Sequence, residues 1–317
     1  MQVRFGYVAI ALNIAQGSPN KTVTVKNLEK IVDPKERINK LRRLTYENLT
    51  NTLRILRYNF AHAIAVYRLT SKLVPLATHP IAGGWCYQDE FVTEWQAIGN
   101  YVKDHNLRIS AHPDHYTLLN SPKADVLSAA LQDLDYHVTM LEAMNLPSEP
   151  QLVIHVGGLY KEKSSALARF ITQFLQLPDR IRLRLMLEND DKIYTAADVL
   201  SLCQTVGCPM VLDIHHHSCN NSGENLADLW PAIIKTWNNA IPKIHVSSPK
   251  SNTQMRNHAD NIRLSDFLPF LLLSKEWQQD FDVMIEAKNK DQALFLLMDE
   301  LEQIPGIKRI APAVIEL

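Results

Sequence analysis

The feature that most constrains this chain is an alternation. Eight short, apolar, β-rich runs are separated by longer segments with helical spacing. The runs are Val3–Val8, Ile64–Leu69, Leu107–Ala111, Leu152–Val156, Arg184–Leu187, Met210–Ile214, Lys243–Val246 and Val283–Ile285. Several are nearly continuous in apolar residues, as strands covered on both faces must be. Between them, Thr45–Ala61 carries Leu49, Leu53, Leu56 and Phe60 at helical spacing. Asp125–Met144, Ser164–Leu177, Thr195–Val206, Leu226–Asn238 and Asp291–Gln303 behave in the same way. Thr195 precedes Asp198 in capping-box order, and Gly207 with Pro209 stops that helix. Eight β units alternating with helices predict an α/β fold, one closed (β/α)8 barrel over residues 1–317, in preference to an open doubly wound sheet. No Gly-x-Gly-x-x-Gly follows the first strand, which weakens a dinucleotide-binding reading.

Composition removes other classes. With 46% hydrophobic and 21% charged residues in 317, the chain can bury a large core, so disorder is excluded. The 33 Lys+Arg nearly balance 34 Asp+Glu. That argues against a generally basic nucleic-acid binder but leaves room for a local basic face. Such a face is available in residues 14–44, read as an insertion between the first strand and its helix. It holds Lys21, Lys26, Lys30, Lys35, Arg37, Lys40, Arg42 and Arg43, either simply solvated or contacting phosphates. Cys86, Cys203, Cys208 and Cys219 show no C-x-x-C spacing, so a reducing, cytoplasmic setting without a zinc ribbon is expected. Met1–Leu12 reads as a buried first strand in preference to a signal peptide. The later apolar run Phe267–Leu273 contains Pro269 and is too short to span a bilayer.

In α/β barrels the active site lies where strands end at their C-terminal side. Nearly every run here ends there in an acid/base or metal-capable residue. Thr78-His79-Pro80 follows the second run, and the third ends Ala111-His112-Pro113. The fourth carries His155, and the fifth ends Leu187-Glu188-Asn189-Asp190. The sixth ends Leu212-Asp213-Ile214-His215-His216-His217. The seventh reads Lys243-Ile244-His245-Val246, with His258 in its loop, and the eighth ends Ile285-Glu286-Ala287-Lys288. Each residue alone has a bland reading as a core histidine or helix cap. Together, three carboxylates and five or more imidazoles on one rim would be costly without counter-charge. Divalent metals supply it, and imidazole with carboxylate suits Zn²⁺, Mn²⁺ or Fe²⁺. Two or three ions fit about eight or nine ligands, and closely spaced metals are the standard device for phosphoryl displacement. His62, His105 and His137 are expected to be structural, the first two near helix C-termini.

With these motifs in order, the sequence resembles the UV damage endonucleases, relatives of the endonuclease IV type of apurinic-site nuclease. The resemblance runs from Arg4-Phe5-Gly6-Tyr7 through Pro75-Leu76-Ala77-Thr78-His79-Pro80 and His155-Val156-Gly157-Gly158. It continues through Leu187-Glu188-Asn189-Asp190, Asp213 with His216, Pro242-Lys243-Ile244-His245-Val246-Ser247-Ser248 and His258-Ala259-Asp260, to Ile285-Glu286-Ala287-Lys288. It implies a TIM barrel with a three-metal cluster, usually Mn²⁺, with Zn²⁺ or Mg²⁺ as alternatives. It further implies nicking of DNA immediately 5′ of cyclobutane pyrimidine dimers and 6-4 photoproducts. The implied ligands are His112, His155 and Glu188 for one ion. Glu188 then bridges to a second ion held by Asp213, His245 and Glu286, and His216 with His258 hold a third. The lysine matching Lys243 can be carboxylated in the family. His79 matches a histidine near the scissile phosphate, expected in transition-state stabilisation. Tyr7 matches a residue at the damage pocket. The family often has Gln-Tyr after the strand-three His-Pro; here His115 and Tyr116 stand at those places. The family's asparagine after the first-strand tyrosine is absent, and Asn13 is the nearest substitute.

The resulting expectation is metal-assisted hydrolysis of UV-damaged double-stranded DNA by a monomer, cytoplasmic and nucleoid-associated in a prokaryote. Tyr7, Trp85 and Tyr116 are candidates for filling the gap at a bent lesion. Alternatives are an apurinic-site nuclease without photoproduct preference and a xylose-isomerase-like sugar isomerase or epimerase. The isomerase needs neither Lys243 nor His258. A third alternative is a non-catalytic damage-binding protein with structural metals, against which the open rim of hard ligands speaks.

Overall fold

The computed structural model describes all 317 residues. Its strands are β1 (Gln2–Val8), β2 (Val66–Arg68), β3 (Arg108–Ser110), β4 (Leu152–His155), β5 (Leu185–Glu188), β6 (Met210–Asp213), β7 (Lys243–Val246), β8 (Pro249–Ser251), β9 (Gln254–His258), β10 (Phe281–Ile285), β11 (Lys308–Ala311) and β12 (Val314–Glu316). β1 to β7 and β10 are the eight expected runs. They pair in parallel in the order β3-β2-β1-β10-β7-β6-β5-β4. A narrow seam between β3 and β4 nearly closes the ring: Ala111 bridges Leu152, and the Val153 N–H donates to the Ala111 carbonyl at 3.0 Å. The barrel predicted from the alternation is the one observed.

Outward-facing strand residues pack against the helices in one large core that includes Phe5, Ile154, Leu187, Leu212, Ile244 and Val283. Inward-facing residues obey the period of two. Val153, Met186 and Val211 form a small apolar plug inside the barrel, closed below by Trp237. Gly6 is required where β1 and β2 approach: a Cβ there would lie 2.0 Å from the Val66 carbonyl oxygen.

Two expectations needed correction, and two further elements had not been anticipated. The first barrel helix starts at Pro34, not Thr45, and runs to Ala61, with Asp33 as its cap accepting from the Lys35 N–H at 2.8 Å. Residues 34–44 therefore belong to that helix, and only the preceding loop is inserted. Charged residues on the helix's exposed first turns hid its apolar period. Met210–Ile214 ends as a strand at Asp213, because Asp213 caps a short helix, Ile214–Cys219. Leu264–Ser274 is a helix despite Pro269. Finally, β11 and β12 form a hairpin that adds antiparallel to residues 2–4 of β1. β2 pairs only with residues 6–8, so the hairpin covers an edge otherwise left open. No helix is long and apolar enough to cross a membrane.

Candidate metal centre

The strand register builds the site. His155 pairs with Glu188 across β4 and β5, and Asp213 pairs with His245 across β6 and β7. The two pairs are offset from one another, since Glu188 stands opposite Val211 across β5 and β6. Glu188 is the hub. Its Oε2 lies 3.0 Å from His112 Nε2 and 3.6 Å from His155 Nε2. Its Oε1 lies 2.8 Å from His245 Nδ1 and 3.6 Å from His216 Nδ1. Glu286 joins from β10, with Oε1 3.2 Å from His245 Nδ1 and Oε2 3.7 Å from His258 Nδ1. His258 ends β9, so the β8–β9 hairpin is what carries it to the rim.

Three groups have ligand atoms all within 4.8 Å of one another: His112 with His155 and Glu188; Glu188 with Asp213 and His216; and Glu188 with His245 and Glu286. Glu188 is common to all three. The donor set fits a divalent metal on a further observation. Asp213 Oδ2, 3.6 Å from His216 Nδ1, is a buried polar atom with no hydrogen-bond partner; His155 Nδ1 and His245 Nε2 are unpartnered too, but they are the ring nitrogens other than those against Glu188. Such atoms are costly unless something binds them.

The electrostatics give the same result. Burial alone would push the Glu188 carboxyl up, but His245, His155 and His112 more than offset it and hold it well below the usual range. Glu286 is likewise lowered, with burial opposed by Arg68 and His245. Asp213 is pushed up to about 8 by burial, and Glu188 and Glu286 push it the same way. The surrounding carboxylates overcome burial at His216 and raise it to about 9. Burial is the largest influence on His155, His245 and His258 and lowers all three, toward the neutral form that ligates metal.

The remaining expected residues are spread around this cluster. His112, His155, Glu286 and His115 line one cavity of about 360 Å³. A second of the same volume holds His79 and Tyr116 and shares Ser71, Lys72 and Asp114 with the first, so the two form one furrow. His79 caps the turn Pro80–Ala82 through Nδ1, which accepts from the Ile81 N–H at 3.1 Å. Tyr116 is 51% exposed, and its hydroxyl donates to Asp114 at 2.8 Å. Trp85 is half-buried against Tyr87 and Phe91, with its N–H donating to Glu90. That is the packing role of a loop tryptophan. Tyr7 does not stand where expected. It is fully buried on the outward face of β1, where its hydroxyl donates to Asn59 Oδ1 at 2.6 Å and its ring packs on Tyr67. It offers no surface to a damaged base in this conformation.

Lys243 is fully buried two residues below His245 on the same strand face. Its ammonium has no partner, and burial with nearby Arg108 pushes it down to about 7. His62 and His105 cap helix C-termini, and His137 is buried in its helix, all as expected. In the basic segment, Lys21 pairs with Glu47 and Arg42 with Glu90, Lys30 donates to Asn27 Oδ1 at 3.0 Å, and Lys26, Lys35 and Arg43 are exposed without an ion pair.

Sequence reading missed two residues. Asn189 clamps Asp213: its Nδ2 donates to the Asp213 carbonyl and its Oδ1 accepts from the Asp213 N–H, both at 2.9 Å. Its own carbonyl lies 2.9 Å from His216 Nδ1. It followed Glu188 in plain sight but had no spacing signal. Arg68, at the end of β2, is ion-paired with Glu286 and nearly buried. A lone arginine in an apolar run was its signal.

Comparison with known proteins agrees with this geometry. The family model described as UV-endonuclease UvdE matches residues 3–317. The UV DNA damage endonuclease of Bacillus cereus (strain B4264) is 45% identical over the whole of both chains. That of Bacillus thuringiensis subsp. konkukian is 44% identical, also over the whole of both. The crystal structure of SacUVDE superposes with a TM-score of 0.84 at 30% identity, covering 95% of this chain and 98% of that one. Endonuclease IV from Thermus thermophilus shares the fold, with a TM-score of 0.57 at 12% identity over 95% of this chain and all of that one. With this match in full-length sequence and in fold, the chain belongs to the UV-endonuclease UvdE family.

Proposed function

We propose that this enzyme nicks duplex DNA immediately 5′ of UV photoproducts, cyclobutane pyrimidine dimers and 6-4 photoproducts, by hydrolysis at a three-metal centre. The carrying observation is Glu188: one buried carboxylate contacts four imidazoles, while Asp213 Oδ2 in the same cluster stays unpartnered. His112, His155 and Glu188 would hold one ion. Glu188, Asp213, His245 and Glu286 would hold a second, and His216 with His258 a third. Manganese suits this thiol-free set. Bound ions would supply Lewis-acid polarisation of the phosphodiester and acidify water.

The chain's own residues do the rest. The cap at the Ile81 N–H consumes Nδ1 of His79, so a neutral His79 carries its proton on Nε2 and can donate to a phosphate oxygen. Tyr116 and His115 are exposed beside the furrow, where a side chain can fill the gap left by unstacked pyrimidines. Lys243, depressed to about 7, is nucleophilic toward CO₂, and a carbamate there would add an anion beneath the cluster. Peptide mass analysis under CO₂ tests this, and an unmodified Lys243 in active enzyme would end that part. The exposed apolar residues are scattered singly, which supports a monomer, and light scattering at working concentration checks it.

The test of the proposal is a duplex bearing one pyrimidine dimer, incubated with protein and Mn²⁺ or with chelator. The expected product is a single nick just 5′ of the dimer, absent with chelator and absent for Glu188→Gln. Metal-loaded protein that binds the dimer but never cuts would overturn it. Equal cutting at apurinic sites with none at dimers would favour the apurinic nuclease.

A further inference from the structure

The cavity in front of the cluster is lined by two kinds of group: the ligand candidates His112, His155 and Glu286, and the cations Arg68, Lys72 and Lys290, with Asp114 among them. Arg68 joins the two through its ion pair with Glu286. Its Nη1 donates to Glu286 Oε1, and no other hydrogen bond engages its guanidinium. A guanidinium has five N–H donors in a rigid fork. None of Arg68's nitrogens is both buried and without a partner, so the remaining donors reach the cavity.

Charge fixes what belongs there. Glu188, Asp213, Glu286 and Asp114 carry four negative charges when ionised, against three on Arg68, Lys72 and Lys290. One divalent ion already turns the balance positive, and every further ion adds two charges. Such an excess is stable only with an anion in the cavity.

From this geometry we infer that Arg68 is a catalytic residue of the phosphodiester hydrolysis: it orients the Glu286 carboxylate with one N–H and donates to a non-bridging oxygen of the scissile phosphate with others. The inference rests on the reading of the site as a metal-dependent nuclease. Planar, bidentate donation to a phosphate is what distinguishes arginine from lysine at such a position. A donor aimed at an oxygen whose charge grows in the transition state acts on kcat more than on KM.

The test uses the full chain as Arg68→Gln, Arg68→Lys and Arg68→Ala, measured beside wild type on the dimer duplex. Metal content per chain and duplex affinity are read separately from nicking. Arg68→Gln is expected to keep its metals and bind the duplex, yet show kcat lower by about 10²–10³-fold, the size of losing one oxyanion donor. Arg68→Lys is expected to recover only part of this, and free guanidinium ion to restore measurable activity to Arg68→Ala. Replacing one non-bridging oxygen of the scissile phosphate by sulfur should slow wild type, and this effect should shrink in Arg68→Gln. Loss of metal in all three variants would reduce Arg68 to a positioning residue for Glu286 and overturn the phosphate contact. Wild-type kcat in Arg68→Gln would overturn both roles. If wild type itself fails to nick, the nuclease reading fails first, and the two failures remain distinguishable.

Discussion

The two ends of this barrel both bury charge, and they treat it in opposite ways. At the N-terminal end, Asp282 is fully buried but saturated. Arg4 Nε donates to its Oδ1 at 2.7 Å and Arg4 Nη2 to its Oδ2 at 3.1 Å. Arg108 Nη1 adds a bond to Oδ2 at 2.5 Å and another to the Ile241 carbonyl at 2.7 Å, and its guanidinium lies over Trp237. At the C-terminal end, the carboxylates and imidazoles outnumber their donors, and Asp213, His155 and His245 each keep an unsatisfied atom. Both are inward-facing residues of one barrel: Arg4, Arg108 and Asp282 stand on β1, β3 and β10, and the site draws mainly on β4 to β7 with Glu286 after β10. Burial and charge alone therefore do not mark a functional site. The mark is a polar network that stays incomplete without something from outside.

The sharpest way to break this comparison is to remove one carboxylate from each end. Asp282→Asn leaves the half-buried Arg4 and Arg108 facing a neutral amide and should cost about 1–3 kcal/mol of stability. Its metal content and nicking per folded molecule should stay unchanged. Glu188→Gln should act mainly on the site: nicking and metal binding collapse, while the amide oxygen can still accept from one of His112 and His245 and the apo protein should lose less stability than Asp282→Asn. Thermal melts with and without chelator separate the two. Equal destabilisation by both would erase the distinction.

Proton linkage provides the next test. In the metal-free cluster Asp213 is raised to about 8 and His216 to about 9, so both hold protons at pH 7. A metal needs both deprotonated, so binding releases up to two protons. Metal affinity should then rise with pH, by about two decades per unit below pH 8, and flatten above about 9. Calorimetric titrations at several pH values read this directly. An affinity independent of pH between 6 and 8 would mean the cluster is already deprotonated when empty.

Smaller effects sharpen the placement of the aromatic residues. Tyr7→Phe leaves the Asn59 carbonyl oxygen unpaired in the core and should cost about 1–3 kcal/mol. Affinity for the dimer duplex should hold within about twofold of wild type, since Tyr7 has no exposed surface. A large loss of lesion affinity at unchanged stability would return Tyr7 to the damage pocket. His115→Gln should have the least effect: unchanged metal content and melting, with at most a shift in relative rates on dimers and 6-4 photoproducts. Loss of metal in that variant would place His115 inside the cluster.

Much of this site was legible in the sequence because strand ends are positional. Once Lys243–Val246 reads as a strand, His245 must face the same way as Lys243, and the parallel register brings it level with Asp213. What stayed hidden depends on which face a residue takes or on a partner far along the chain. Tyr7 sits on the outward face of β1 although its neighbours approach the barrel interior, and no local pattern says so. Arg68 meets Glu286 across more than 200 positions of sequence. The hairpin of β11 and β12 answers an edge created only by the shortness of β2. The helix beginning at Pro34 was masked by its own solvated face, where Lys35, Glu36 and Asn39 outweigh the buried Leu41.

The central claim is that the incomplete end of the barrel is a multi-metal centre, and the most direct measurement is the metal content of purified, manganese-reconstituted protein, counted per chain for wild type and Glu188→Gln. The account predicts three ions for wild type, and at most one for Glu188→Gln, because Glu188 would hold two of the three ions proposed. One ion or none in wild-type protein that is folded and cuts a dimer duplex would contradict it.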